Sequence, residues 1–214
     1  MFKVQWLRFG GWRCSPLNAA LGLYELTWEV KVDKTELIKR LEELGIGLER
    51  FTVQITDYVH TWTEAYELIV SVIAPNLGGV TLYHIGSTAI PGSIAKPIID
   101  IGIAYNDTLT FKQNILLLES LGFTCKGEQG VEGRCFFTYY NDNERFDYIH
   151  VHAYKQGDSK LRKHIQFRDA HIQNQELLIE YNSLKQGLVA SGVSRQDYPA
   201  AKAAYIQRIL SSTS

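Results

Sequence analysis

The sequence predicts an α/β fold of the α+β kind, a mixed β-sheet flanked by helices, and three observations predict it. Short β-branched and aromatic runs at 80–85 and 98–104 alternate with segments whose apolar residues recur at helical spacing. Two further strand-like runs, 134–140 and 146–154, surround Asn141-Asp142-Asn143, a turn built of residues that tolerate left-handed backbone. From Ser159 onward the pattern is helical, which gives the fold a helical C-terminal part. With 214 residues, 45 % apolar and 21 % charged, the chain can bury a core, and a disordered or collagen-like protein is excluded.

Residues 1–50 read as a small N-terminal β-β-α extension. Strand-like stretches at 4–9 and 24–32 flank a segment containing Gly, Pro and Asn. A helix follows, with Asp33 as N-cap, Glu36 three residues on, an apolar face of Leu37, Ile38, Leu41 and Leu44, and Gly45 and Gly47 as the stop. The main domain is expected over 51–212. Its first helix carries Thr61 and Glu64 at capping-box spacing, then Trp62, Ala65, Tyr66, Ile69 and Ile73 on one face, and Pro75 ends it. The strand at 80–85 enters a small-residue loop, 86–97, and the strand at 98–104 leaves it. Asp107 then caps a helix that runs to about Leu121 and closes at Gly122.

Charge and cysteine usage bound the partners. Lys and Arg number 22 against 23 Asp and Glu, a formal charge of -1, so no global field gathers nucleic acid or anionic lipid, and a nucleic-acid partner is not expected. Between 160 and 208 eight basic residues face four acidic ones, which reads as a solvated helical surface or, alternatively, a wall that faces phosphates. Cys14, Cys125 and Cys135 are odd in number and lack C-x-x-C spacing, so neither a disulfide framework nor a Cys-only zinc site is expected, and Cys135 reads as a small buried hydrophobe. The apolar run 68–74 falls far short of the ~20 residues a bilayer requires, and no basic n-region precedes an apolar stretch at the N-terminus. A cytoplasmic protein without a membrane partner is expected.

The chemistry concentrates in two places. In His84-Ile-Gly-Ser-Thr-Ala-Ile-Pro-Gly-Ser-Ile-Ala-Lys-Pro-Ile-Ile-Asp100, Gly86 permits close approach of the backbone, while Ser87 and Thr88 offer hydroxyls suited to phosphate oxygens. Alternation on the second strand puts Asp100 with Ile98 and Gly102, opposite Ile99, Ile101 and Ile103, so a carboxylate stands out from the apolar face. His150 and His152, two apart on a later strand, project from one side and suit metal ligation or proton transfer. Lys96 and Arg134 are the cations placed for an anion, although Arg134 beside Glu132 also fits a surface ion pair. Arg162, Arg168 and Asp169 read as a local salt network, Tyr198 and Lys202 as helix packing, and His60, His164 and His171 as surface groups.

Taken in order, these motifs resemble the GrpB family across roughly 51–210. The carrying residues are His84-Ile-Gly-Ser-Thr-Ala-Ile-Pro-Gly with Ala95-Lys-Pro-Ile-Ile-Asp-Ile101, Gly133-Arg134 before Phe136-Phe137, Ile149-His150-Val151, Phe167-Arg168-Asp169, Tyr181 with Leu184-Lys185, and Tyr198 with Lys202. The resemblance implies a nucleotidyltransferase-like fold, with Gly86 and Ser87 where nucleotide phosphates are held and Asp100 where a divalent ion is held. The wider pattern has a second acid two residues after the first and a third on a later strand; here those places fall on Gly102 and His150. The site then expected has Asp100 and His150 as catalytic residues, with Asp100, His150, His152 and His84 as metal ligands. Gly86, Ser87, Thr88, Lys96 and Arg134 would hold phosphate. Imidazoles and one carboxylate suit Mn²⁺ or Zn²⁺ better than Mg²⁺. The expected activity is metal-dependent nucleotidyl or phosphoryl transfer, or hydrolysis, on a nucleotide or small phosphorylated molecule; the alternative is a non-catalytic module that binds nucleotide or phosphate and regulates.

Overall fold

The computed structural model describes residues 33–212, and in them one mixed sheet carries every strand. The strands are β1 (Leu48–Glu49), β2 (Val80–Ile85), β3 (Ile99–Tyr105), β4 (Thr124–Cys125), β5 (Cys135–Tyr140) and β6 (Phe146–Lys155). Their order is β2-β3-β6-β5-β4, with β1 paired to the start of β6. The β3–β6 pair is parallel and the other pairs are antiparallel. The helices are α1 (Lys34–Glu43), α2 (Thr61–Ile73), α3 (Thr108–Ser120), α4 (Ser159–Gln173), α5 (Gln175–Ala190), α6 (Tyr198–Ala201) and α7 (Ala203–Ser212). Helices thus flank a mixed sheet, as the sequence predicts.

The alternation of β3 divides the molecule. Ile99, Ile101 and Ile103 join Ile149, Val151 and Ala153 of β6 in a core closed by Leu37 and Leu41 of α1, by α2, and by Phe111 and Leu118 of α3. On the other face α4 lays Leu161 against Ala104 and Tyr154. A third cluster around Tyr181, Tyr205 and Ile209 fastens α5 and α7 beside α4. Within the segment expected as an extension, α1 and Ile46 enter the main core and β1 pairs Leu48 with Asp147. The stretches at 4–9 and 24–32, and Cys14, lie outside the described residues.

Capping follows the expectation in α1 and α3 and departs from it in α2. Asp33 accepts the Thr35 amide at 2.9 Å and Asp107 accepts the Thr110 amide at 2.6 Å. At α2 the cap position is His60, which makes no side-chain cap bond, and Thr61 is the first helical residue. Its hydroxyl donates to the Leu44 carbonyl at 2.8 Å, so a tertiary contact that ties α2 to the end of α1 replaces the capping box. His60 is exposed as expected, but His171 is only 1 % exposed. Its Nδ1 lies 2.7 Å from the Phe167 carbonyl and its Nε2 lies 3.0 Å from the Tyr205 hydroxyl, inside the aromatic cluster. Cys135 is half-buried against the core, with its sulfur 3.6 Å from that of Cys125. Burial, then Cys125, pushes its thiol up to about 12. Among the described residues no helix is long and apolar enough to cross a membrane.

Candidate functional site

Parallel pairing of β3 and β6 sets Asp100 opposite His150 and Gly102 opposite His152, so the carboxylate and both imidazoles share a face. His150 Nδ1 lies 3.6 Å and His152 Nε2 lies 3.4 Å from Asp100 Oδ1. Arg134, immediately before β5, sits over the Phe136 ring and donates to the carbonyls of Glu128 and Gln129 at 3.2 and 2.9 Å. Its third contact places Nη1 3.4 Å from His152 Nδ1. A guanidinium has only protons to give, so Nδ1 of His152 accepts, the ring proton resides on Nε2, and Nε2 donates to Asp100. Burial lowers the His152 pKa and keeps the ring neutral. Burial alone would raise the Asp100 carboxyl; the hydrogen bonds of His150 and His152 outweigh it and hold Asp100 well below the usual carboxylate range. An ionised carboxylate beside a neutral imidazole of fixed tautomer is the result.

Gly86, which follows β2, has φ +74°, and a Cβ built there would lie 2.4 Å from Asp100 Oδ2. The carboxylate rests on the bare Cα, so the first use of this glycine is to admit Asp100. Ser87 Oγ is half-buried, 3.3 Å from the Tyr181 hydroxyl. Two expected site residues are placed elsewhere. Thr88 is 1 % exposed, its hydroxyl taken up by the Ile98 carbonyl at 3.4 Å and by His84 Nε2 at 3.2 Å, so it offers nothing to a phosphate. His84 pairs with Ile101 across the β2–β3 ladder and therefore projects from the face opposite Asp100. Its ring stacks on Tyr66 at 4.6 Å, and burial lowers its pKa to about 4. It does not join the carboxylate.

The helices supply what the sequence reading missed. On α4, Leu161, His164 and Arg168 share one face, and that i, i+3, i+7 spacing was the available signal. His164, expected on the surface, is half-buried with its ring 5.3 Å from that of His152, and burial, then His152, lowers its pKa to about 4. Arg168 forms the expected ion pair with Asp169 at 2.7 Å and also donates to the His84 carbonyl at 2.7 Å, which binds α4 to the end of β2. Leu161 closes the place of the second acid: a Cβ at Gly102 would lie 2.6 Å from Leu161 Cδ1.

Helix α5 clamps the loop 86–97. Asn182 Oδ1 accepts the Ile94 amide at 3.1 Å and Nδ2 donates to the Gly92 carbonyl at 2.9 Å. Lys185, 1 % exposed, lies over the Tyr181 ring and donates to Ser93 Oγ at 2.6 Å and to the Ile94 carbonyl. Burial, then Lys202, lowers its pKa to about 6, so the folded protein holds a neutral amine there at pH 7 while the unfolded chain holds an ammonium. The unfolded state therefore binds the extra proton above pH 6, and stability contributed by this group rises with pH from about 6 until the ordinary lysine value of 10.5. Lys96, lowered to about 7 by burial, then by Arg195 and Lys202, contributes with the same sign. Urea unfolding between pH 6 and 9 is expected to show stability climbing by at most about 1.4 kcal/mol per pH unit for Lys185, with a shallower climb in Lys185→Met. An equal climb in both proteins contradicts this assignment.

Among the described residues no group of three or more His, Cys, Asp and Glu side chains is arranged to hold a metal ion. The physical reason lies in the contacts above. Arg134 and Asp100 engage both nitrogens of His152 and His84 lies on the other face, so Asp100 and His150 are the open donors. The expected four-ligand set is not assembled by these side chains alone.

Comparison with known proteins places this geometry in a family context. The family model described as GrpB protein matches residues 52–212. The chain is 34 % identical over 165 residues to UPF0157 protein YqkA of Bacillus subtilis, a match covering 73 % of this chain and 47 % of that protein, so the chain spans about half the length of that relative. It is 29 % identical over 176 residues to UPF0157 protein SCO7215 of Streptomyces coelicolor, covering 81 % of this chain and 90 % of that protein. Its fold matches the crystal structure of the conserved protein GrpB from Enterococcus faecalis with a TM-score of 0.67 at 27 % identity, covering 75 % of this chain and 96 % of that chain.

Proposed function

The chain belongs to the GrpB family, and from that membership we propose that it binds a nucleotide or another small phosphorylated molecule beside Asp100 and transfers or hydrolyses its phosphate. The observation that carries this reading is an ionised carboxylate, held by two imidazoles, next to a glycine-floored loop that presents Ser87 and Lys96. Ser87 and Lys96 bind the phosphate oxygens through a hydroxyl and an ammonium. The Arg134–His152 chain orients Asp100, so the carboxylate keeps its place when charge arrives.

Asp100 and His150 would hold a divalent ion. Two protein donors suffice when substrate phosphates complete the shell, a common arrangement at phosphate-handling sites. One carboxylate with one imidazole suits Mn²⁺ or Zn²⁺ better than Mg²⁺. When bound, the ion supplies neutralisation of charge on the phosphate oxygens.

Incubation with Mn²⁺ and a mixture of labelled nucleoside triphosphates tests the proposal. Phosphate or pyrophosphate release that falls below detection in Asp100→Asn is expected; release undiminished in that variant overturns the role of Asp100. A second reading, a regulatory module that binds phosphate without turnover, is favoured by one observation: Leu161 occupies the place where a second acid would stand. Nucleotide binding by the wild-type protein with no release under any divalent ion decides for the module.

A further inference from the structure

At the start of α6 the Tyr198 ring is buried and carries two lysine amino groups: Lys96 Nζ at 4.7 Å and Lys202 Nζ at 4.6 Å from its centroid. Among the described residues neither ammonium has a carboxylate or hydrogen-bond partner, and both lysines are half-buried. The groups around them do not supply the missing negative charge. Arg195 is a third cation, already committed to Asp147 at 2.8 Å and to the Thr52 carbonyl at 3.0 Å. Burial raises the Tyr198 phenol, so the ring stays protonated, and Lys185, next to Lys202, is neutral. Asp100 and Asp147 are the carboxylates that act on Lys96, the former held by its imidazoles and the latter by Arg195.

The nearness of Lys202 is one of the causes that lower Lys96, so the two ammonium charges repel each other, and the Tyr quadrupole offsets that repulsion only in part. An anion between them converts that repulsion into binding. A carboxylate would neutralise one charge; phosphoryl groups of a chain neutralise both. Lys96 also links this position to the site already described, because it belongs to the loop that carries Ser87 and feels the charge of Asp100.

We propose that Lys96, Tyr198 and Lys202 form a second phosphate subsite, reached by the outer phosphates of a ligand whose inner phosphate lies beside Ser87 and Asp100. The substrate class is then a nucleoside di- or triphosphate rather than a monophosphate. This inference rests on the phosphate-binding reading above and narrows it.

The test is calorimetric titration of the full chain with inorganic tripolyphosphate and, separately, orthophosphate, without added metal. Tripolyphosphate is expected to bind the wild-type protein at least about tenfold more tightly than orthophosphate, a difference of about 1.4 kcal/mol. Lys202→Gln is expected to lose about that factor for tripolyphosphate and to leave orthophosphate within about twofold, whereas Lys202→Arg retains the wild-type preference. Equal affinities for the two anions, or a Lys202→Gln protein that melts normally and binds tripolyphosphate unchanged, overturns the subsite. The failures are separable: a charge-dependent tripolyphosphate site with no nucleotide binding or turnover sinks the proposed function alone, and nucleotide turnover indifferent to Lys202 sinks the subsite alone.

Discussion

Gly86→Ala is expected to lower the free energy of unfolding by about 2–4 kcal/mol and to abolish the proposed phosphate binding with it. The added methyl would meet Asp100 Oδ2 at 2.4 Å, Asp100 Cβ at 2.9 Å and Cγ at 3.0 Å, and Cβ is fixed to the β3 backbone. Asp100 is held by His150 and His152 on one side, so it yields only by breaking those contacts. At φ +74° and ψ -173° the backbone also lies in a region essentially reserved for glycine, which adds roughly 1–3 kcal/mol of strain for any residue with a Cβ. Gly157→Ala separates the two effects: its φ is +85° with nothing within 4 Å of the built Cβ, so it suffers the strain alone. Urea unfolding of the two variants, with imidazole NMR shifts of His150 and His152, reads the difference. Equal destabilisation would remove the Asp100 contact from the account.

Gly102→Asp restores in sequence the second acid of the pattern this chain resembles, and it is expected to give no activity and a loss of about 3–5 kcal/mol, enough to unfold a marginal domain. The Cβ would enter 2.6 Å from Leu161 Cδ1 and 3.4 Å from Ile85 Cγ2, and the carboxylate beyond it would be pressed toward apolar Leu161, Ala104 and Tyr154. Leu161→Ala makes room, so the double variant is expected to be more stable than the sum of the single losses predicts, a coupling read directly from a double-mutant cycle. Additive losses would mean that Leu161 does not guard this place. A double variant that gains turnover would show that the missing acid alone limited the chemistry.

Much of the site was legible because a strand has period two: the parity of Asp100 against its isoleucines, and of His150 with His152, fixed their faces without any knowledge of neighbours. Which strands lie side by side is a different quantity, set by long-range pairing. That is why His84 was misassigned: its parity within β2 says nothing until the ladder sets it opposite Ile101. Thr88 was misread for a related reason, since a hydroxyl in a loop looks available until the carbonyl of Ile98 and the imidazole of His84 occupy it. The capping box at Thr61 had the right spacing, but the helix begins at Thr61 itself, so its hydroxyl is not at the cap and donates instead to the Leu44 carbonyl just after α1. Helix α4 hid most: charge at 160, 162 and 163 suggests a solvated helix, while the face that seals the site carries Leu161, His164 and Arg168.

The grip of α5 on Gly92, Ser93 and Ile94 has a mechanical consequence. Three successive residues of that loop are bonded to Asn182 and Lys185, while the next residue, Ala95, is paired through its backbone with Thr56. A tilt of α5 would therefore strain the loop against the bonds that hold Ala95 to Thr56 and Pro97 to Gly47, so the C-terminal helices bear on the approach to Asp100 although none of them furnishes an atom to that carboxylate.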